Sequence, residues 1–143
     1  MISRVEHTLE PIFDKKSKTL ILGTMPSVES RKEGMYYANK TNRFWLVMAA
    51  VYNEKIKDRK AFILRHHLAL WDVVVNDINS IIRQSKIKHI FLLGRKAYDL
   101  YYEYLYREVG IKGIYLSSTS GANARKSYCD LVEEYKIIKK VTR

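Results

Sequence analysis

One cysteine, Cys129, stands in a chain of 143 residues. A lone thiol forms no internal disulfide, and a single chain with one cysteine builds neither a Cys-ligated iron–sulfur cluster nor a cysteine-rich zinc site. A reducing cytoplasm is the expected home. Acidic residues are also few: 15 Asp plus Glu face 26 Lys plus Arg, a net charge of +11. That excess favours an anionic partner, nucleic acid before others, over a basic surface that binds nothing. Long apolar runs are missing as well. None approaches the roughly 20 residues needed to span a bilayer, and the opening stretch MISRVEHTLEPIF lacks the apolar core of a signal peptide. No membrane role is expected. The four histidines offer no metal site, because His66 and His67 are adjacent and point apart on most backbones, and His7 and His89 lack ligand-like spacing. Neither metal nor cofactor is expected, and no repeat or low-complexity segment interrupts the chain.

With 47% hydrophobic and 29% charged residues, the chain has the composition of a globular protein able to build one core. Its length fits a single domain over 1–143, taken as a monomer. Apolar runs closed by glycine or polar turns alternate with helical patterns. TLILG at 19–23, LALWDVVV at 68–75, IKHIFLLG at 87–94 and GIYLS at 113–117 read as strands. Helices are expected over 42–52, 58–67, 78–84, 95–109 and 125–140, with Asp77 as an N-cap. Tyr98, Tyr101, Tyr102 and Leu105 share one helical face, the spacing of core packing rather than of a base-stacking platform. In the last helix Tyr128, Leu131, Val132, Tyr135 and Ile138 fit an apolar face, and Cys129 is read as a buried thiol. Strand and helix in alternation specify a mainly parallel sheet with helices on both faces, an α/β architecture.

The densest stretch is YYANKTNRFW at 36–45. Asn39, Lys40, Thr41 and Asn42 are turn and N-cap types, while Phe44, Trp45, Val47, Met48 and Val51 have the spacing of a buried helix face. Two readings stand side by side. One is an aromatic-rich capped turn. The other is a ligand site, with a helix start suited to phosphate and Tyr36 or Tyr37 suited to stacking on a base. Two more loops follow strands: Gly23, Thr24, Met25, Pro26 and Ser27, and Ser118 to Ala124. In a parallel sheet, loops beyond the carboxyl ends of strands gather at one rim, where ligands bind. Their Ser, Thr, Gly and backbone N–H groups suit phosphates, and the 36–42 loop brings an aromatic face and amides suited to a base edge. Asp72, after Trp71, is either a catalytic carboxylate or a group bonded to nearby backbone.

Taken together, GTMPS at 23–27, YYANKTNRFW at 36–45, ALWDV at 69–73 and STSGANAR at 118–125 resemble the uracil-DNA glycosylase superfamily, in its mismatch-specific and hypoxanthine-DNA glycosylase branch. The resemblance covers most of the chain in matching order. That branch carries a Gly-Ser-Met-Pro-type loop, a Tyr-Tyr-Ala-His-Pro-x-Asn-Arg-Phe-Trp segment and a Ser-Thr-Ser-Pro-Ala-Asn-Ala segment. It implies a three-layer α/β/α sandwich with a short, mainly parallel sheet. It further implies a monofunctional glycosylase that hydrolyses the N-glycosidic bond of uracil or hypoxanthine in DNA, as the first step of base-excision repair. Matched by position, Asn42 takes the asparagine linked to catalysis. Tyr37 takes the aromatic that stacks on the flipped base, with Thr24, Met25 and Asn39 beside it. Pro26, Ser27, Lys40, Arg43, Ser118, Thr119, Ser120, Gly121, Asn123 and Arg125 fall in the segments that hold DNA and its phosphates.

The chain departs from that pattern in four places. Asn39, Lys40 and Thr41 replace His-Pro-x. Gly121 replaces a proline, which loosens the wedge loop. Thr24 and Met25 stand where sister branches carry a water-activating Asn or Asp, and the polar insertion that follows Trp-Asp-Val in the family is cut to Val74, Val75 and Asn76. The competing readings are a superfamily member that binds DNA or a nucleotide without catalysis, and a hydrolase of free nucleotides. Lys40 as a Schiff-base nucleophile is a further option.

Overall fold

Each strand is a run of apolar residues just long enough to cross one sheet. In the computed structural model, which describes residues 9–73 and 77–143, these runs are β1 (Thr19–Gly23), β2 (Leu68–Asp72), β3 (His89–Leu93) and β4 (Gly113–Leu116). All pairings among them are parallel, in the order β2-β1-β3-β4. All of β1 is buried, as is β3 apart from His89, which is why they read as unbroken apolar runs rather than alternating ones. One antiparallel bridge, Ile12 to Leu70, lies against the outer side of β2 through N···O bonds of 3.0 and 2.9 Å. The expected β2 residues Val74 and Val75, the shortened segment with Asn76, and His7 fall outside the described residues.

Helices cover both faces, and the pleat decides which side chains meet them. Ile21, Leu70, Phe91, Leu93 and Leu116 share one core with α2 (Phe44–Val51), α3 (Arg59–Arg65) and α7 (Tyr128–Val141). Leu20, Leu22, Ala69, Ile90 and Leu92 point the other way, onto α4 (Ile78–Arg83) and α5 (Arg95–Leu100). The three-layer α/β/α sandwich expected above is the one observed. Among the described residues, no helix is long and apolar enough to cross a membrane, and no group of three or more His, Cys, Asp or Glu is placed to hold a metal ion.

Local chemistry sets the helix ends. Asp58 and Asp77 cap α3 and α4 by accepting from Ala61 and Ser80 N–H at 3.0 Å. A short helix not foreseen from sequence, α1 (Val28–Glu33), follows the first rim loop; Ser27 caps its start and Gly34, at φ 70°, ends it. The expected 95–109 helix is one helical stretch with a π-turn at Tyr101–Leu105 between α5 and α6 (Tyr106–Val109). Tyr101 is fully buried and donates to Ile111 O, and the Tyr102 hydroxyl meets Gly113, so the tyrosine stripe is core. The last helix starts at Tyr128 rather than Arg125, because Ser127 and Asp130 close a capping box there. Two expectations fail on this helix. Leu131, Tyr135 and Ile138 form its buried stripe, so Cys129, about 200° round the helix from Leu131, is exposed, and Tyr128 in the first turn is exposed as well.

Candidate active site

The sheet grows from β1 outward to β2, then returns past β1 to add β3 and β4. That reversal between β1 and β3 is the topological switch point, where loops leave in opposite directions and open a crevice. A cavity of about 260 Å³ lies there. Its wall is formed by residues 23–27 after β1, Ser30, residues 36–42 in part, Asp72 and Leu93 at the ends of β2 and β3, and residues 118–121 after β4. At least two of the three rim loops were expected to meet, and all three do.

Asn42 is held in the wall from two sides. Its Oδ1 accepts from Phe44 N–H, the first of α2, at 2.9 Å, and from the Thr119 hydroxyl at 2.8 Å. A backbone N–H only donates, so the side-chain oxygen has to face it and the orientation of the amide is fixed. The Nδ2 donor has no protein partner among the described residues. Sequence placed the start of this helix at Asn42; it begins at Phe44, with Arg43 as the N-cap residue whose carbonyl accepts the first helical bond from Val47 N–H at 2.8 Å, and Asn42 lies one residue before it.

Tyr37 sits in the left-handed region at φ 57°, a conformation that costs a bulky residue of order 1–3 kcal/mol. Its ring stacks on Phe44, with centroids 4.1 Å apart and planes at 22°, and the next backbone N–H, that of Ala38, is held by the buried Ser30 hydroxyl at 3.0 Å. The Tyr37 hydroxyl is buried without a hydrogen-bond partner among the described residues. Burial first, and then the charge of Asp72, push its pKa well above the ordinary phenol value, so it stays neutral. Gly23 makes this floor possible: a Cβ there would lie 2.9 Å from Asp72 Oδ1 and 3.1 Å from the Tyr37 hydroxyl. Asp72 is only 3% exposed and is the one charged side chain in the cavity wall among the described residues.

Eleven of the expected site residues line the cavity: Thr24, Met25, Pro26, Ser27, Tyr37, Asn39, Asn42, Ser118, Thr119, Ser120 and Gly121. Their roles divide. Asn39 Oδ1 is taken by the N–H and hydroxyl of Thr41, at 2.9 and 2.7 Å. Ser27 is occupied in capping α1 through Ser30. The Ser118 and Ser120 oxygens accept from the backbone two residues on, leaving both O–H groups to donate. Thr119, expected to hold phosphate, is 1% exposed and its hydroxyl is spent on Asn42.

Arg43 corrects the sequence reading more sharply. Its guanidinium, assigned there to phosphate, donates to the carbonyls of Lys126 at 2.6 Å, Asn123 at 3.0 Å and Ser120 at 3.3 Å. Its own N–H donates to Thr119 O at 2.9 Å. Asn123 likewise closes its loop, onto Ser118 O at 2.9 Å. The last loop is therefore fastened rather than loosened by Gly121, whose missing side chain lets it close on the neighbouring loop: a Cβ would lie 2.7 Å from Thr41 Cβ. Lys40 and Arg125 are exposed and outside the cavity wall. Tyr36 is buried, with its hydroxyl donating to Glu10 O at 3.0 Å and its carbonyl accepting from Trp45 Nε1 at 2.8 Å, so it supports the site rather than presenting a stacking face.

Asp72, read from sequence either as a catalytic carboxylate or as a backbone-bonded group, is part of the wall, as are Tyr36 and Thr41 of the 36–42 loop, while Ser30 and Leu93 line the cavity unforeseen. For Asp72 and Leu93 a signal existed: each ends an apolar strand run on the carboxyl side.

The class that this fold and cavity define is an open parallel-sheet α/β protein with a polar pocket at its switch point. The chain belongs to the uracil DNA glycosylase superfamily, whose profile matches residues 10–138. Two proteins named hypoxanthine DNA glycosylase are similar to it. That of Methanosarcina acetivorans is 32% identical, across 81% of this chain and 87% of its own length. That of Methanosarcina barkeri is 28% identical, across 80% and 86%. The solution NMR structure of a candidate uracil DNA glycosylase from Methanosarcina acetivorans superposes with a TM-score of 0.77 at 28% identity, over 94% of this chain and 96% of that one.

Proposed function

We propose that this protein is a monofunctional DNA glycosylase that hydrolyses the N-glycosidic bond of a deaminated base, hypoxanthine or uracil, in DNA. It acts as a cytoplasmic monomer in base-excision repair, without metal or cofactor. The observation that carries the reading is the polarity of Asn42. With Oδ1 held by Phe44 and Thr119, only the Nδ2 donor is left to a ligand. Deamination replaces an amino donor on the base with a carbonyl acceptor, the group an amide N–H binds.

The target nucleotide must leave the stack, which costs a few kcal/mol and least at a mismatch. Tyr37, Thr24, Met25 and Asn39 receive the base, and Asn42 Nδ2 donates to its carbonyl oxygen. The C1′–N bond breaks with its electron pair going to the base, so negative charge spreads onto that oxygen. Asn42 and the backbone N–H groups near Met25 to Ser27 stabilise it. The sugar becomes cationic, a charge that the Asp72 carboxylate favours. Water adds at C1′ and the base takes a proton, which leaves an abasic site. An amide is no general base at neutral pH, so Asn42 orients and stabilises rather than removing a proton. Pro26, Ser27, Ser118, Ser120 and Gly121 line the way to the phosphates, with Lys40 and Arg125 as the exposed cations beside them.

The test is alkaline cleavage of labelled duplexes carrying one hypoxanthine, uracil, xanthine or mismatched thymine, with Asn42→Ala in parallel. Cleavage by the native protein that falls about 100-fold or more in the mutant is the expected result. Full activity in Asn42→Ala overturns the assignment of Asn42. No cleavage by the native protein, with salt-sensitive binding to the same duplexes, identifies a DNA-binding member of the family without the chemistry.

A further inference from the structure

We propose that Thr119 is a positioning residue for Asn42, and that the loop it stands on sets the catalytic amide through it. The proposal rests on the reading of Asn42 given above. Thr119 belongs to the loop after β4, yet it is 1% exposed and its hydroxyl donates to Asn42 Oδ1 at 2.8 Å across 77 residues of sequence. Its carbonyl accepts from Arg43 N–H at 2.9 Å, so Thr119 is held at two points by consecutive residues of the base-binding segment. Arg43 then reaches further along the same loop, with donors on Ser120 O, Asn123 O and Lys126 O. The carbonyls of 119, 120, 123 and 126 are thus all tied to Arg43, and the Thr119 hydroxyl to Asn42, while Ser118 and Ser120 of this loop keep O–H groups to donate.

The Phe44 N–H alone would keep Oδ1 near the helix start but leave the amide plane free to swing about that bond. A second donor from a different direction fixes the plane, and with it the line along which Nδ2 enters the cavity. A donor misplaced by about 1 Å costs on the order of 100-fold in rate. Movement of the loop after β4 against DNA therefore carries the Thr119 hydroxyl with it and changes the aim of Asn42. Chemistry is in this way tied to engagement of the duplex.

The experiment is single-turnover cleavage of a hypoxanthine duplex, with duplex affinity measured alongside, for Thr119→Val, Thr119→Ser and Thr119→Val combined with Asn42→Ala. Thr119→Val keeps the shape and removes the hydroxyl. It should cleave 10- to 100-fold more slowly with duplex affinity within about twofold of the native value, whereas Thr119→Ser should recover to within about threefold. In the Asn42→Ala background the valine change should cost nothing further, the signature of two residues acting through one group. Thr119→Val cleaving at the native rate overturns the proposal, as does an equal loss in Thr119→Ser or an additive loss in the double variant. If Thr119→Val does not fold, Thr119→Cys keeps the site small and replaces the hydroxyl by a weak donor, and a native rate there overturns the proposal equally. Failure of the reading beneath it looks different: Asn42→Ala would then cleave like the native protein whatever stands at 119.

Discussion

Asn42 and Arg43 are neighbours in one motif and do opposite work. Asn42 ends with a free donor toward the cavity, and Arg43 ends with its guanidinium turned onto three carbonyls of the protein itself. Hydrogen bonds from a charged donor are worth about 1.5–3 kcal/mol each, so Arg43→Ala should lower unfolding free energy by about 2 kcal/mol or more in urea titrations. Duplex binding by this variant should keep the native salt slope, because no phosphate contact has gone. Lys40→Ala and Arg125→Ala should each make that slope shallower by about 0.9. Gly23 carries a different constraint. A methyl there meets Asp72 Oδ1 at 2.9 Å and the Tyr37 hydroxyl at 3.1 Å, so the floor of the pocket must shift. Gly23→Ala is expected to cleave about 10-fold more slowly or worse while losing only about 1–3 kcal/mol of stability.

At the scale of elements, the helices are placed by caps and the loops by cross-links. The capping box of Ser127 and Asp130 sets where α7 begins, and hydrogen bonds from Ser127 hold the Asp130 carboxyl below its usual range. Ser127→Ala should cost about 1 kcal/mol in urea titrations. The turn between α2 and α3 is closed by Glu54, which accepts from Arg65 and from His66 at 2.9 Å. Those hydrogen bonds lower its pKa from 4.5 to about 2. A carboxyl depressed in the folded state contributes stability that is present above the unfolded pKa and is lost as pH falls through the folded one. Stability from this group should therefore decline between about pH 4.5 and pH 2, and Glu54→Gln should flatten the melting-temperature profile in that window. Arg65 is exposed and Glu54 and His66 lie half-buried at the surface, where solvent screens the pairs, so the effect is small.

The whole molecule brings two things to the site: a switch point that opens the cavity and a charge of +11 that draws an anion toward it. Charge of that size acts over the full surface and falls off with salt, since the screening length is about 10 Å at 0.1 M. Affinity for undamaged duplex should drop steeply and linearly on a log–log salt plot, with a slope of several units, measured by fluorescence anisotropy. A slope near one would mean that the protein meets a single phosphate, as a nucleotide hydrolase does.

TLILG and IKHIFLLG were legible as interior strands, because a strand buried on both faces needs nothing but apolar residues and a turn to stop it. Asp77 was legible as a cap for the same reason, since its partner lies three residues away; Asp58, read as the first residue of its helix, proves to be the cap in the same way. The rim on which the loops meet followed from parallel pairing alone, and so did the three-layer sandwich. The short helix after Ser27 and the facing of Cys129 were missed, although both rest on local signals, a cap and the true phase of one helix. What no local signal held was the partner of each polar group at the rim. Arg43 looked like a phosphate ligand, and Thr119 looked like its companion, until the loop after β4 came within reach, 77 to 83 residues away along the chain. The sequence by itself determined the strands, the sheet and the rim, because periodicity and turn chemistry act over a few residues. Only the tertiary structure decided which rim groups face the cavity and which hold the protein together, because that choice depends on which distant backbone carbonyls and hydroxyls are brought alongside.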